Sequence, residues 1–164
     1  MSENIKYHHS THITFECLTE MRDEYQYDEL IALTQMFFER KPNREYFDRL
    51  KHADNPLIIF AKFDDTLIGC KIGYQTSHDS FYSWIGGVHP NFRRQGIAQN
   101  MLQLQIDWCT NNRFRIIRTK TLINNPAMYC LNFKNGFRVI GNEIAGKYGN
   151  SLLLSKTLPT LHTD

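Results

Sequence analysis

Three consecutive strand-like runs with very short connections constrain the fold of this chain more than any other feature of its sequence. The runs are LIIFAKF, TLIGCKIGYQT and SFYSWIGGV, within residues 57–88. Asp64-Asp65 joins the first two, and Ser77-His78-Asp79 lies between the last two. Because parallel strands need a long crossover connection, these short links predict an antiparallel meander.

One strand and two helices are predicted before this meander. HITFECL, from His12 to Leu18, has the pattern of a strand. Asp28 is the predicted N-cap of a helix that Pro42 stops, with apolar residues at helical spacing. Asn43 is the predicted N-cap of a second helix, which ends before Pro56.

After the meander the hydrophobic period changes from two to that of a helix. The predicted buried face of this third helix consists of Ile97, Met101, Leu104 and Trp108. RIIRTKTL is the next strand, and Asn125-Pro126 opens a fourth helix that Gly136 closes. FRVIG and NSLLLSKTL are the last two strands. The order predicts an α/β (mixed α+β) fold, with a mixed sheet of about seven strands and about four flanking helices.

Composition limits the classes of function. At 164 residues, 41% of them hydrophobic, the chain fits one domain over residues 1–164, with mobile ends expected at 1–11 and 159–164. A net charge of +2 argues against nucleic acid as a partner.

No segment is long and apolar enough for a signal peptide or a membrane span, so no membrane partner and a cytoplasmic location are expected. The four cysteines are spaced as reduced core thiols, and no metal is expected.

The stretch HPNFRRQGIAQ, from His89 to Gln99, lies where a strand gives way to a helix. The first N–H groups of a helix have no internal partner and bind phosphate oxygens well. Gly96 and Ala98 leave that end of the helix unobstructed, and two arginines add positive charge. The predicted phosphate-binding residues are Arg93, Arg94, Gln95, Gly96, Ile97, Ala98 and Gln99.

Two segments of the chain resemble the GNAT superfamily of N-acetyltransferases. Arg93–Ala98, preceded by Val88-His89-Pro90, is similar to the family's acetyl-CoA signature. NPAMYCLNFKNGF, from Asn125 to Phe137, is similar to its later CoA-contacting segment. The resemblance implies acetyl-CoA as co-substrate and a sheet that splays between the fourth and fifth predicted strands.

The resemblance also implies roles for backbone groups near the splay. Gly86 and Gly87 would pair with pantetheine, although a bulge or a strand end is the alternative. A backbone N–H near Val88 would hold the thioester oxygen. Asn125 would contact CoA, or it is only a helix cap.

Asn132 departs from the family pattern, in which many members have a tyrosine that protonates the departing thiolate. We expect Asn132 to position the thioester by hydrogen bonding. Tyr129, one turn earlier, is a candidate replacement acid, and a tyrosine without a catalytic role is the alternative. Cys130 is expected to be a packed helix cysteine.

The acceptor site is expected near the first two helices, where aromatic residues cluster. The candidate acceptor-contacting residues are Phe37, Phe38, Tyr46, Phe47, Tyr82 and Trp84, all of which could instead belong to the core. The general base is left open among Asp79, His78, His89, Glu39, Glu45 and Asp48.

These observations predict an N-acetyltransferase that moves the acetyl group of acetyl-CoA to a primary amine of a small molecule or peptide. A homodimer is left open. The alternative is a non-catalytic CoA-binding sensor or interaction module on the same fold. Two features support it: Asn132 replaces the family's tyrosine, and FYSWIGGV contains no carboxylate that could act as the base. A nucleic-acid-binding protein is a third hypothesis, which the small charge excess disfavours.

Overall fold

The computed structural model describes residues 6–9, 12–147 and 149–160. Its strands are β1 (Lys6–His9), β2 (Ile13–Leu18), β3 (Leu57–Phe63), β4 (Thr66–Ser77), β5 (Ser80–Val88), β6 (Ile116–Leu122), β7 (Arg138–Gly146) and β8 (Gly149–Thr157). Its helices are α1 (Glu24–Thr34), α2 (Arg44–Phe47), α3 (Ile97–Asn111) and α4 (Pro126–Lys134), with 3₁₀ turns at Asp48–Lys51 and Pro90–Phe92. From β2 to β8, the elements follow the predicted order.

β1 is a strand that the sequence pattern does not predict. Its residues Lys6–His9 pair antiparallel with the segment of β2 from Ile13 to Glu16. They lie within residues 1–11, for which a mobile end is expected. Residues 1–5, 10, 11 and 161–164 of the expected mobile ends lie outside the described residues, and that expectation stays a prediction.

The described residues form two compact units, and the chain passes from one to the other within β4, β5 and α3. The first unit contains the residues up to Tyr74 together with Ile85–Gln105. The second contains Gln75–Trp84 and the residues from Ile106 onward. The extent of a single domain over residues 1–164 stays a prediction.

In the first unit, β1, β2, β3 and β4 pair antiparallel in that order, as the short connections predict. The central strand of this group is β3, in which all residues from Leu57 to Ala61 are buried. Leu30 of α1 and Phe47 of α2 are also fully buried. The core of this unit therefore consists of β3 and the apolar faces of the first two helices.

In the second unit, β5 pairs parallel with β6, and β6 and β7 each pair antiparallel with β8. The parallel ladder runs from Ser80–Ile116 to Ser83–Thr119, while β6 continues to Leu122. This is the strand pair in which the splay is expected. The predicted mixed sheet is thus confirmed.

The predicted capping residues are correct for α2 and α4 and wrong for α1. Asn43 and Asn125 accept hydrogen bonds from Tyr46 N–H and Met128 N–H, as N-caps do. Gly136 follows α4 with a φ of +82°, as a C-terminal glycine does. The N-cap of α1 is Asp23 and the prediction of Asp28 is wrong, because Asp23 has extended backbone and accepts from Gln26 N–H at 2.9 Å.

The buried face of α3 is offset from the predicted one. Ile97 and Met101 are buried as predicted, whereas Leu104 and Trp108 are only half-buried. The fully covered positions in the middle and end of the helix are Leu102, Gln105 and Cys109. Gln105 is completely buried, and neither polar atom of its side chain has a hydrogen-bond partner among the described residues. A hydrophobic spacing alone cannot reveal a buried glutamine.

Candidate active site

At the carboxyl end of β5, successive residues turn their peptide groups toward opposite neighbours. The N–H of His89 donates to the carbonyl of Ile68, which belongs to β4, at 2.7 Å. The N–H of Gly87 also faces β4, where it donates to the Cys70 thiol. Because peptide groups alternate along a strand, those of Gly86 and Val88 point away from β4. Of the three residues with predicted backbone roles, Gly86 and Val88 thus have peptide groups that the β4 ladder does not use, whereas the N–H of Gly87 is engaged with β4.

Gly87 lies directly under the ring of Phe37, from the segment that follows α1. A Cβ at position 87 would come within 2.5 Å of the Phe37 ring atoms. Gly86 has no such restriction, because its Cβ would meet its nearest neighbour at 3.5 Å. Gly87 therefore has a packing reason to be glycine that does not depend on its predicted backbone role.

The segment from His89 to Gly96 forms a compact turn before α3. Pro90–Phe92 is a 3₁₀ turn, and the N–H of Asn91 donates to His89 Nδ1 at 3.1 Å. Arg93 folds back so that its Nε donates to the carbonyl of Val88 at 3.1 Å. This bond ties the turn to the end of β5.

Arg94 and Gly96 both have left-handed backbone, with φ of 65° and 78°. Left-handed residues in a turn orient neighbouring N–H groups toward a common point, which suits an anion. All four residues of Arg93–Gly96 are exposed, and a Cβ at position 96 would meet no atom within 4 Å. The turn thus presents two arginines and the open start of α3 on one exposed surface.

The candidate acceptor-contacting aromatics are divided between the two units. In the first unit, the Phe37 and Phe38 rings lie 4.9 Å apart, and Tyr46 lies 5.2 Å from the buried ring of Phe47. In the second unit, Tyr82 and Trp84 are half-buried residues of β5. Phe47 belongs to the core, since it is fully buried.

α4, in the second unit, carries the other predicted site residues. The side chain of Asn132 is 3% exposed, and its Nδ2 donates to Thr121 Oγ1 at 3.3 Å. Tyr129 is half-buried and lies 5.9 Å from the ring of Phe133. Asn125 is exposed at the start of the helix. The prediction that Cys130 is packed is wrong, because an exposed face of α4 carries it.

Two candidate bases are already engaged by neighbouring groups. Hydrogen bonds from the Ser77 and Ser80 hydroxyls lower the pKa of Asp79. A hydrogen bond from Lys51 lowers the pKa of Asp48, and Arg44 adds to that effect. A lowered pKa weakens a carboxylate as a proton acceptor. The carboxylates of Glu39 and Glu45 are exposed in the region between α1 and the end of α2.

Lys71 of β4 is a polar residue of this region that sequence reasoning does not single out. Its side chain is buried, with 8% of the residue exposed, and its Nζ would lie 3.6 Å from a Cβ at position 86. The available signal is a lysine inside the apolar run LIGCKIG. Such a lysine has two explanations, an exposed strand face or a buried charge, and the sequence does not distinguish them.

Neither a metal centre nor a membrane helix is found in the part of the chain that the structure describes. No three side chains among His, Cys, Asp and Glu come together there as metal ligands. His12 contacts the carboxylate of Asp64 at 3.2 Å, as an isolated exposed pair. No helix among these residues combines the length and apolarity that a membrane span requires.

Comparison with known proteins gives a family match. A model described as the acetyltransferase (GNAT) family matches residues 18–137, which include the turn before α3 and the whole of α4. A search of curated proteins finds no significant match.

Solved structures of acetyltransferases share the fold. The ribosomal-protein-S18-alanine N-acetyltransferase from Escherichia coli has a TM-score of 0.77 at 12% identity, covering 92% of this chain and 97% of that chain. Naa50 from Arabidopsis thaliana, in complex with the bisubstrate analogue CoA-Ac-MVNAL, has a TM-score of 0.71 at 19% identity, covering 89% and 99%. A GNAT family acetyltransferase from Elizabethkingia anophelis, with acetyl-CoA bound, has a TM-score of 0.72 at 20% identity, covering 91% and 100%.

Proposed function

Since the chain belongs to the acetyltransferase (GNAT) family, we propose that it transfers the acetyl group of acetyl-CoA to a primary amine by direct attack. The observation that carries the proposal is the arrangement at the end of β5. The peptide groups of Gly86 and Val88 turn away from β4 just before an exposed turn opens α3. Backbone donors for a thioester and an anion site for phosphates thus follow one another within a few residues of the chain.

Binding of acetyl-CoA begins with its phosphates at the start of α3. Gly96 leaves the first N–H groups of the helix accessible, and Arg93 and Arg94 neutralise charge beside them. Gln95, Ile97, Ala98 and Gln99 complete the proposed phosphate-binding segment. Pantetheine then pairs with the backbone of Gly86, and the N–H of Val88 donates to the thioester oxygen. Gly87, whose N–H faces β4, borders pantetheine without pairing with it.

In the transfer step, the amine nitrogen attacks the carbonyl carbon of the thioester and the C–S bond breaks. An alkylamine with a pKa of about 10.4 requires about 4 to 5 kcal/mol to lose its proton at about pH 7. Glu39, Glu45, His78 and His89 are the proposed candidates for the acceptor of that proton, because the pKa values of Asp48 and Asp79 are lowered. The products are the acetamide and free CoA, and no covalent enzyme intermediate forms.

The acceptor is proposed to be a primary amine of a small molecule or a peptide. Support for a peptide comes from two neighbours, since Naa50 from Arabidopsis is in complex with the bisubstrate analogue CoA-Ac-MVNAL and the Escherichia coli protein is a ribosomal-protein-S18-alanine N-acetyltransferase. The aromatic side chains proposed to contact it are Phe37, Phe38, Tyr46, Tyr82 and Trp84. A cytoplasmic location, a homodimer and the lack of a nucleic-acid partner stay predictions.

The phosphate site is tested by thermal shift with acetyl-CoA. Millimolar acetyl-CoA should raise the Tm of the wild type, because a ligand of the folded state stabilises it by mass action. Gly96→Glu should abolish this shift by placing a negative charge at the phosphates. Gly96→Ala is the matched control, since it introduces the same left-handed strain into open space without a charge. Normal binding by folded Gly96→Glu would place the phosphates elsewhere, and no wild-type shift would refute the proposal.

Turnover separates an enzyme from the alternative CoA-binding sensor. Amino acids, polyamines, aminoglycosides and peptides are screened by release of free CoA thiol. With at least one class of amine, thiol release should be faster than the hydrolysis of acetyl-CoA that is measured without an amine. Tight acetyl-CoA binding with no reactive amine across the screen would favour the sensor.

A further inference from the structure

Lys71 is a buried cation in the middle of an antiparallel sheet. It lies in a stretch of β4 whose residues from Leu67 to Gly73 are all buried. Removing an ammonium group from water is unfavourable unless the site compensates its charge, and apolar residues are usual at such positions. The neighbouring Cys70 thiol illustrates the environment, because burial raises its pKa to about 12 although the Lys71 charge opposes that shift.

The pairing of β4 with β5 places Lys71 opposite Gly86. The hydrogen bond from His89 N–H to the Ile68 carbonyl sets the register of the two strands. Three residues further along β4 and three residues back along β5, Lys71 and Gly86 lie directly opposite each other. The side chain of Lys71 lies across the glycine, with both Cγ and Nζ at 3.6 Å from the position of a Cβ there. The ammonium group therefore lies over β5 and not over its own strand.

This face of the sheet is the one that α3 covers. Gly69 lies two residues before Lys71 and so shares its face, and a Cβ on Gly69 would meet Met101 Cε of α3 at 3.2 Å. Gly86 and Val88 also share that face. Their peptide groups point away from β4, toward the strand edge at which the thioester is proposed to bind.

We propose that Lys71 is a catalytic residue whose ammonium stabilises the negative charge that develops on the thioester. This inference rests on the proposed acetyl transfer. As the amine nitrogen attacks the carbonyl carbon, charge develops on the oxygen and, when the C–S bond breaks, passes to the sulfur of CoA. The proposed role requires Lys71 in its charged form, which acts on the reacting group across Gly86 and transfers no proton. A fixed cation at this position stabilises the leaving thiolate, which in many family members would be protonated by the tyrosine that Asn132 replaces here.

The test compares a neutral and a charged replacement of nearly the same length. Lys71→Met should lower kcat by about a hundredfold while the Kd for acetyl-CoA changes less than about threefold, because the charge acts mainly on the transition state. Lys71→Arg should keep kcat within about tenfold of the wild type. Lys62→Met, which removes a partly buried lysine of β3 paired with Glu16, is the control and should leave kcat unchanged.

Acetyl-CoA hydrolysis without an amine provides a second readout, since it passes through the same charged intermediate. Lys71→Met should lower it in parallel with transfer, and Lys71→Gln serves as the neutral variant if the methionine variant does not fold. Equal kcat values for wild type and a folded neutral variant would refute the role of Lys71 alone. No turnover by the wild type with any amine would refute the proposed function, and the role of Lys71 with it.

Discussion

Two adjacent glycines of β5 have different neighbours in the space that a side chain would occupy. At Gly87 the space is filled by Phe37, whereas at Gly86 it is bordered by Lys71 at ordinary contact distance. A β-strand alternates its faces, so each glycine accommodates a neighbour on a different side of the sheet. One Gly-Gly pair thereby brings an aromatic ring and a cation against the same strand.

We predict that Gly87→Ala destabilises the fold by about 1–3 kcal/mol, since the added Cβ overlaps the Phe37 ring. Gly86→Ala is the matched control and should cost less, because its Cβ fits without a clash. Urea unfolding of both variants measures the difference. In the double variant Gly87→Ala/Phe37→Ala, the penalty of the alanine at 87 should largely disappear. Equal stability of the two single variants would contradict the contact.

α4 illustrates how one helix combines capping, packing and proposed chemistry. Asn125 caps its start and Gly136 ends it. Asn132 is joined to β6 through Thr121, and its carbonyl accepts the N–H of Phe137. The amide is therefore part of the packing of the second unit, whatever it contributes to the thioester.

We predict that Asn132→Ala lowers the free energy of unfolding by about 1–3 kcal/mol, because Thr121 then loses its buried partner. Thr121→Val removes the same hydrogen bond from the other side and serves as the control. If Asn132 also positions the thioester, only Asn132→Ala should weaken the use of acetyl-CoA beyond its effect on folding. Equal kinetic losses in the two variants would restrict Asn132 to a structural role.

Tyr129 is tested on the same helix by removal of its hydroxyl. Tyr129→Phe should lower turnover less than about tenfold. A CoA-like thiol has a pKa of about 8.5, which is only about one unit above about pH 7.5, so protonation by an acid stabilises the leaving thiolate only modestly. The pH profile of turnover is the measurement. A loss of about a hundredfold with a flattened alkaline limb, at unchanged acetyl-CoA affinity, would identify Tyr129 as the acid.

At the scale of the whole molecule, buried thiols make stability depend on alkaline pH. Burial raises the pKa of Cys17 to about 11 and that of Cys70 to about 12. An unfolded thiol ionises near pH 8.5, so their stabilising contribution is complete below that pH. It is lost as the pH rises from there toward the folded pKa values, because the unfolded chain then holds fewer protons.

We predict that the free energy of unfolding falls between about pH 9 and 11, by up to about 1.4 kcal/mol per pH unit for each thiol. Cys70→Ala should reduce this slope, although it lowers stability at neutral pH through the lost packing. Cys130→Ala is the control, since that cysteine is exposed and should not change the slope. Denaturant unfolding at a series of pH values, under reducing conditions, measures it. Identical slopes for wild type and Cys70→Ala would contradict the assignment.

The order of elements, the caps of α2 and α4 and the turn before α3 were all predictable from the sequence, because each depends on residues within one or two turns of each other. Asn43, Asn125 and Gly136 act on the nearest peptide groups, and hydrophobic period distinguishes strands from helices. The cap of α1 is local too, yet the prediction of Asp28 was wrong, because Asp23 has extended backbone and accepts from Gln26 N–H at the start of the helix.

Other features depend on residues that lie far apart in the chain and meet only through strand pairing. The Phe37 ring over Gly87, Lys71 opposite Gly86 and Asn132 beside Thr121 each require a particular register or packing. A shift of one residue would turn each strand side chain to the opposite face of its sheet. Hydrophobic pattern and motif therefore predicted the family and the turn before α3, while the register of β4 against β5 decided which side chains lie at the proposed thioester site.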